Sequence, residues 1–107
     1  MVTGFPYRWV EVGKDPIKVF ERFIRMGLPV RRLGSAAIDL CWVAAGRFDG
    51  FWEYNLNPWD IAAGYLIIEE AGGTVTNFNG DPYSVYDKQT LATNGKIHQE
   101  MIKVINE

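Results

Sequence analysis

A repeated piece of punctuation constrains this chain most: a capping residue, a helix-compatible stretch and a glycine stop, with short apolar runs between successive units. Val2 to Phe5 is the first such run and predicts a short strand. Asp15 before Pro16 reads as an N-cap followed by a first helical residue. Ile17, Phe20, Phe23 and Ile24 recur at helical spacing and predict its apolar face, and Gly27 and Pro29 end it. Val30 to Leu33 reads as a strand. Ser35 then caps a second helix whose packing face is Ala36, Ala37, Leu40, Cys41 and Ala44, and Gly46 closes it. Phe48 to Tyr54 is aromatic-rich and strand-like, although Asp49-Gly50 within it also suits a turn. Asn57 caps a third helix with Pro58 at its first position, running to Ala71 before Gly72-Gly73. Thr74 to Phe78 and Leu91 to Thr93 complete the strands, with a turn at Asn79-Gly80, and Lys96 to Asn106 is a terminal amphipathic helix. Such alternation predicts an α/β domain: a layered fold with a mixed, mostly parallel central sheet of about five strands and helices on both faces.

Length and charge narrow the partners. At 107 residues the chain suffices for one modest core. Its net charge of -2 supplies no basic excess to attract nucleic acid or an anionic membrane. A phosphorylated ligand must be met by local devices instead, such as helix N-termini, a metal ion or single arginines. The lone cysteine, Cys41, precludes an internal disulfide and fits a reducing compartment. No apolar run approaches the ~20 residues needed to span a bilayer, and Met1 leads into Val-Thr-Gly-Phe-Pro without a signal-peptide pattern. The expectation is a cytoplasmic protein.

Two segments carry the chemistry. In Trp59-Asp60-Ile61-Ala62-Ala63-Gly64, followed by Glu70-Ala71-Gly72-Gly73, Asp60 falls in the first helical turn, where the helix dipole favours a carboxylate. Taken alone, it reads as an ordinary capping acid. In Arg31-Arg32-Leu33-Gly34-Ser35-Ala36-Ala37, a strand passes through glycine into a helix, leaving free N–H groups that suit an anion or a hydroxyl. Most junctions of that kind bind nothing.

Together, in this order and spacing, the two segments resemble the inositol monophosphatase family, whose C-terminal half carries Trp-Asp-x-Ala-Ala-Gly ahead of Glu-Ala-Gly-Gly. An upstream Arg-x-x-Gly-Ser/Thr-Ala-Ala is matched by Arg31, Gly34, Ser35, Ala36 and Ala37, and a glutamate seven residues before the aspartate by Glu53. The resemblance runs from Thr3 to the end of the chain. It implies that Asp60 is a metal-binding, catalytic aspartate and that Glu53 accepts a hydrogen bond from a sugar or inositol hydroxyl. Gly34, Ser35 and Ala36 would line the substrate ring, and Arg31 would orient a carboxylate. It further implies Mg²⁺ as cofactor, a phosphorylated polyol or sugar as substrate, and a homodimer. Inositol monophosphate is the favoured substrate. Fructose bisphosphate and 3′-phosphoadenosine nucleotides are those of relatives, and a non-catalytic dimerisation or binding module is the alternative from another class.

The family's remaining metal ligands belong to an N-terminal domain, in a glutamate and an Asp-Pro-Ile/Leu-Asp-Gly-Thr segment. Asp15-Pro16-Ile17-Lys18 imitates its beginning, but lysine replaces the second aspartate and no Gly-Thr follows. The expectation is therefore a C-terminal domain over residues 1–107, inactive alone, whose partner is that N-terminal domain. The remaining polar residues read as structural. His98 is assigned to a helix surface, Asp39, Asp49 and Asp81 to helix-surface and turn positions, and Cys41 to a buried, inert thiol. Trp42, Trp52 and Trp59 are assigned to core or interface packing.

Overall fold

The computed structural model describes residues 1–5 and 15–107. The elements follow in the order β1 (Val2–Thr3), α1 (Pro16–Arg25), α2 (Ala36–Ala44), β2 (Gly50–Tyr54), α3 (Pro58–Glu70), β3 (Thr74–Thr76), β4 (Gln89–Thr93) and α4 (His98–Ile105). The caps behave as local chemistry dictates. Asp15 Oδ1 accepts the Ile17 N–H at 3.0 Å, and Ser35 Oγ accepts the Ile38 N–H at 3.4 Å. Gly27, Gly46 and Gly72, each at positive φ, follow the ends of α1, α2 and α3.

Among the described residues the sheet has four strands in the order β1-β2-β4-β3, and of these strand pairs β1 with β2 is the parallel one. β4 runs antiparallel to both β2 and β3. The expected five-stranded, mostly parallel sheet is thus corrected to a smaller and mostly antiparallel one, and the reason lies in the connections. β2, α3 and β3 form the crossover that strand-helix alternation implies, with β2 and β3 pointing the same way. β4, which comes later in the chain, is inserted between them in the opposite sense, a split βαβ arrangement. The fifth strand expected at Val30 to Leu33 reduces to a single bridge between Arg31 and Val2. Thr3 N–H donates to Arg31 O at 2.9 Å and Arg31 N–H to Met1 O at 3.0 Å. Beyond it Gly34, at φ 88°, turns the chain into α2.

Alternation along the strands feeds two cores, one on each face. Trp52, Tyr54 and Leu91 pack with Val19 and Phe23 of α1 and Met101, Val104 and Ile105 of α4. Phe51, Ala92, Val2 and Val75 pack with Leu40 and Val43 of α2 and Ile61 and Ile68 of α3. The Phe23 and Trp52 rings sit 4.3 Å apart, so Trp52 is a core residue and does not border an open surface. Burying each such large side chain contributes roughly 1.5–3 kcal/mol.

The apolar face of α1 lies elsewhere than spacing alone suggested. Pro16, Val19 and Phe23 are buried, whereas Ile17 is 50% exposed and Ile24 is also exposed. Val19 and Phe23, one turn apart, meet the sheet, and Ile17 stands ~200° round the helix from Val19. Two further assignments change. Cys41 is exposed, because α2 turns Leu40 and Val43 inward. His98 is buried between two hydroxyls, with Nε2 2.7 Å from Thr76 Oγ1 and Nδ1 2.9 Å from Thr93 Oγ1. α2 and α3 approach closely at Gly64, where a Cβ would lie 2.7 Å from Leu40 Cβ. The glycine of the Ala-Ala-Gly sequence thus serves helix-helix packing. No helix among the described residues is long and apolar enough to cross a membrane.

Candidate functional site

Two helix starts and two strand ends meet at a cleft of about 190 Å³. Gly34 and Ala36 bring the beginning of α2 to it, Leu56 and Asp60 the beginning of α3, Glu53 the end of β2, and Gly4 and Phe5 the chain just after β1. Of the residues expected to form a site, Asp60, Glu53, Gly34 and Ala36 are brought together here. Ser35 is not in the lining, and its hydroxyl is committed to capping α2. Arg31 is exposed and its backbone is engaged with β1, so Arg32 is the arginine at the cleft. The Arg32 guanidinium lies 5.7 Å from the centroid of the Phe5 ring.

Asp60 holds its place through its own helix. Its Oδ2 accepts the Asn57 N–H at 3.0 Å, while the Asp60 N–H donates to Asn57 O at 2.9 Å. That capping bond uses one of the two carboxylate oxygens, and the side chain lines the cleft at the positive end of the α3 dipole.

Glu53 reaches the cleft by strand alternation. Trp52 and Tyr54 point to the α1/α4 side, so Glu53 points to the α2/α3 side. Burial first, and then the charges of Asp39 and Asp60, push its carboxyl up to about 8, with Arg32 acting in the opposite sense. Near neutral pH the group is thus mostly a carboxylic acid, able both to donate and to accept a hydrogen bond.

Asp39 is the buried neighbour of Glu53 that sequence reading missed. Instead of lying on the helix surface it is 1% exposed, on the inner side of α2, and Oδ1 has no hydrogen-bond partner among the described residues. Burial raises its pKa to about 6. A signal was present: Asp39 stands one turn from Val43 and is the only charged residue of α2. Asp49 and Asp81 do occupy turns, where each accepts a hydrogen bond from an asparagine side chain.

Among the described residues, no three His, Cys, Asp or Glu side chains converge to hold a metal ion. Mg²⁺ takes octahedral oxygen ligands and is often held by one or two carboxylates with phosphate and water. The donor chemistry of Asp60 fits one ligand of such a site and does not make a complete one.

Two helix N-termini and a carboxyl pair around one cleft, on a sheet with helices on both faces, define an α/β domain whose acidic side chains and helix starts share one cleft. The chain belongs to the inositol monophosphatase family, whose profile matches residues 2–107. A chloroplastic phosphatase of Arabidopsis thaliana is 44% identical over 105 residues, covering 98% of this chain and 28% of the relative. An inositol-1-monophosphatase of Synechocystis is 47% identical over 105 residues, covering 98% of this chain and 37% of the relative. The solved inositol monophosphatase of Anabaena (Nostoc) superposes with a TM-score of 0.91 at 42% identity, over 98% of this chain and 42% of that one. The chain therefore spans well under half the length of each of these relatives.

Proposed function

We propose that this chain is the C-terminal half of a Mg²⁺-dependent phosphomonoesterase acting on inositol monophosphate, and that it supplies one side of the active site. The observation that carries this reading is the convergence of Asp60 and Glu53 on a cleft at the starts of α2 and α3. Asp60 contributes a carboxylate ligand for the metal, held in aim by its bond to Asn57. Glu53 meets a hydroxyl of the polyol. Gly34 and Ala36 bring peptide groups and small side chains against the ring, with Ser35 fixing the helix start. Mg²⁺, when bound, polarises the phosphate, lowers the pKa of a water and stabilises the leaving alkoxide.

The other side of the site belongs, on this reading, to an N-terminal domain. The outer faces of α2 and α3 support such a partner. Trp59 is 78% exposed, Leu66 is 56% exposed, and Ile38 and Ile67 are exposed as well. The one charged residue of α2 points inward, so its outer face is uncharged. A helix apolar on both sides is one that expects to be covered. The greater length of the relatives supports the rest of a family-length chain as that cover.

The test is made on the complete enzyme, with this chain joined to that N-terminal domain. Asp60→Asn is expected to lower inositol monophosphate turnover ~100-fold or more and to raise the Mg²⁺ concentration needed, with little effect on folding because an amide oxygen can still cap α3. Unchanged turnover and Mg²⁺ dependence would remove Asp60 from the metal site. The 107-residue chain alone is expected to give only background hydrolysis.

A further inference from the structure

We propose that Gly4 is a positioning residue: by lacking a side chain it forms the slot in which the Glu53 carboxyl lies. The role given to that carboxyl rests on the function proposed above, whereas the slot itself does not. A Cβ built on Gly4 would stand 1.6 Å from Glu53 Oε1, 2.6 Å from its Cδ and 3.4 Å from its Cγ. These are its three nearest heavy atoms, so the obstacle at this position is the end of one flexible side chain. Gly4 is buried, and its φ lies outside the left-handed region, so its backbone would accept alanine.

The register explains the juxtaposition. Thr3 pairs with Trp52 in the parallel β1–β2 ladder, and Thr3 Oγ1 donates to Trp52 O at 2.5 Å. The next residue on each strand is Gly4 and Glu53, so the Glu53 side chain folds over the Gly4 Cα. The following residue, Phe5, carries the Arg32 guanidinium on its ring. One short segment thus seats the carboxyl and positions the cation that faces it.

Gly4→Ala must push the carboxyl back by about 1.5–2 Å, and Glu53→Asp shortens the arm by one C–C bond, ~1.5 Å. The aspartate should therefore fit beneath the added methyl. In the 107-residue chain, an NMR contact between the Gly4 Hα and Glu53 Hγ protons is expected. In Gly4→Ala the Glu53 side-chain carbon shifts should move while the β1–β2 amide contacts persist.

In the complete enzyme, Gly4→Ala should lower the preference for inositol monophosphate over an aryl phosphate up to about ten-fold, the upper end of what one neutral hydrogen bond is worth. Mg²⁺ dependence should stay unchanged. Gly4→Ala with Glu53→Asp should recover most of the preference. Unmoved Glu53 shifts in Gly4→Ala, or no recovery by the double variant, overturn the slot. A single variant that fails to fold beside a folded double supports it, and two unfolded variants overturn it. If the carboxyl moves but preference is unchanged in both Gly4→Ala and Glu53→Gln, the slot stands and the hydroxyl-binding role of Glu53 falls.

Discussion

Asp39→Asn is expected to stabilise this domain, and to do so only above about pH 4. Asp39 is 1% exposed, one of its oxygens has no partner among the described residues, and burial raises its pKa from the ordinary 3.8 to about 6. Between those values the folded chain binds the proton more tightly than the unfolded chain, so stability falls as pH rises. The loss is complete above about pH 6. Roughly two pH units separate the two midpoints, and at ~1.4 kcal/mol each the cost is about 3 kcal/mol at pH 7. Relaxation and water entry reduce it, so a gain of about 1–3 kcal/mol is expected for the amide at pH 7–8, shrinking to a few tenths near pH 4. Urea unfolding of both chains at pH 4, 5, 6 and 8 measures the difference directly. The same substitution removes a charge that helps hold Glu53 up, so the Glu53 midpoint should fall while burial keeps it above the ordinary range. A stability difference independent of pH, or an amide variant less stable at pH 8, refutes the reasoning, because either means the carboxylate finds adequate partners in the folded state.

Gly64→Ala sets a helix-propensity gain of ~1 kcal/mol against a methyl 2.7 Å from Leu40 Cβ, and overpacking of that kind costs about 1–3 kcal/mol. A net loss of up to about 2 kcal/mol in thermal or urea unfolding is expected, and a more stable variant would show that α2 and α3 can separate freely. His98 is held below its usual pKa by burial, so the unfolded chain takes up a proton first and the His98 contribution to stability is lost as pH falls through about 6.5. Relative to wild type, His98→Leu should cost about 1–3 kcal/mol at pH 8, from two threonine hydroxyls left without the ring, and less at pH 5. A constant cost across that range, followed by circular dichroism, would mean that the ring is protonated without penalty.

Helix beginnings were legible because capping is local: Asp15-Pro16, Ser35 and Asn57-Pro58 act within three residues of themselves, and the structure places α1, α2 and α3 where they point. Strand sense was not, because it depends on where β4 inserts, a choice made between segments far apart in sequence. For the same reason Val30 to Leu33 looked like a strand although only Arg31 finds a partner. In the site, the spacing of Glu53 and Asp60 carried meaning only through resemblance, since local physics reads Asp60 as a cap. The inward turn of Asp39 and the contact of Gly4 with Glu53 depend on which helix face meets the sheet and which strands are neighbours. Arg32 came to the cleft in place of Arg31 because residue 31 is the one whose backbone bridges to β1.

The sheet ends in two stubs. On one side β1 has two residues and is already occupied by the Arg31 bridge; on the other, β3 has three, and Thr76 bridges to Pro82, whose nitrogen carries no hydrogen to offer. Among the described residues, neither margin presents a long, flat row of vacant amides on which a strand from another molecule can grow. Crowding of this chain therefore works through exposed side chains, those of α2 and α3 among them. Contacts of that kind come apart on dilution or in mild detergent, whereas cross-β stacking, once begun, does not.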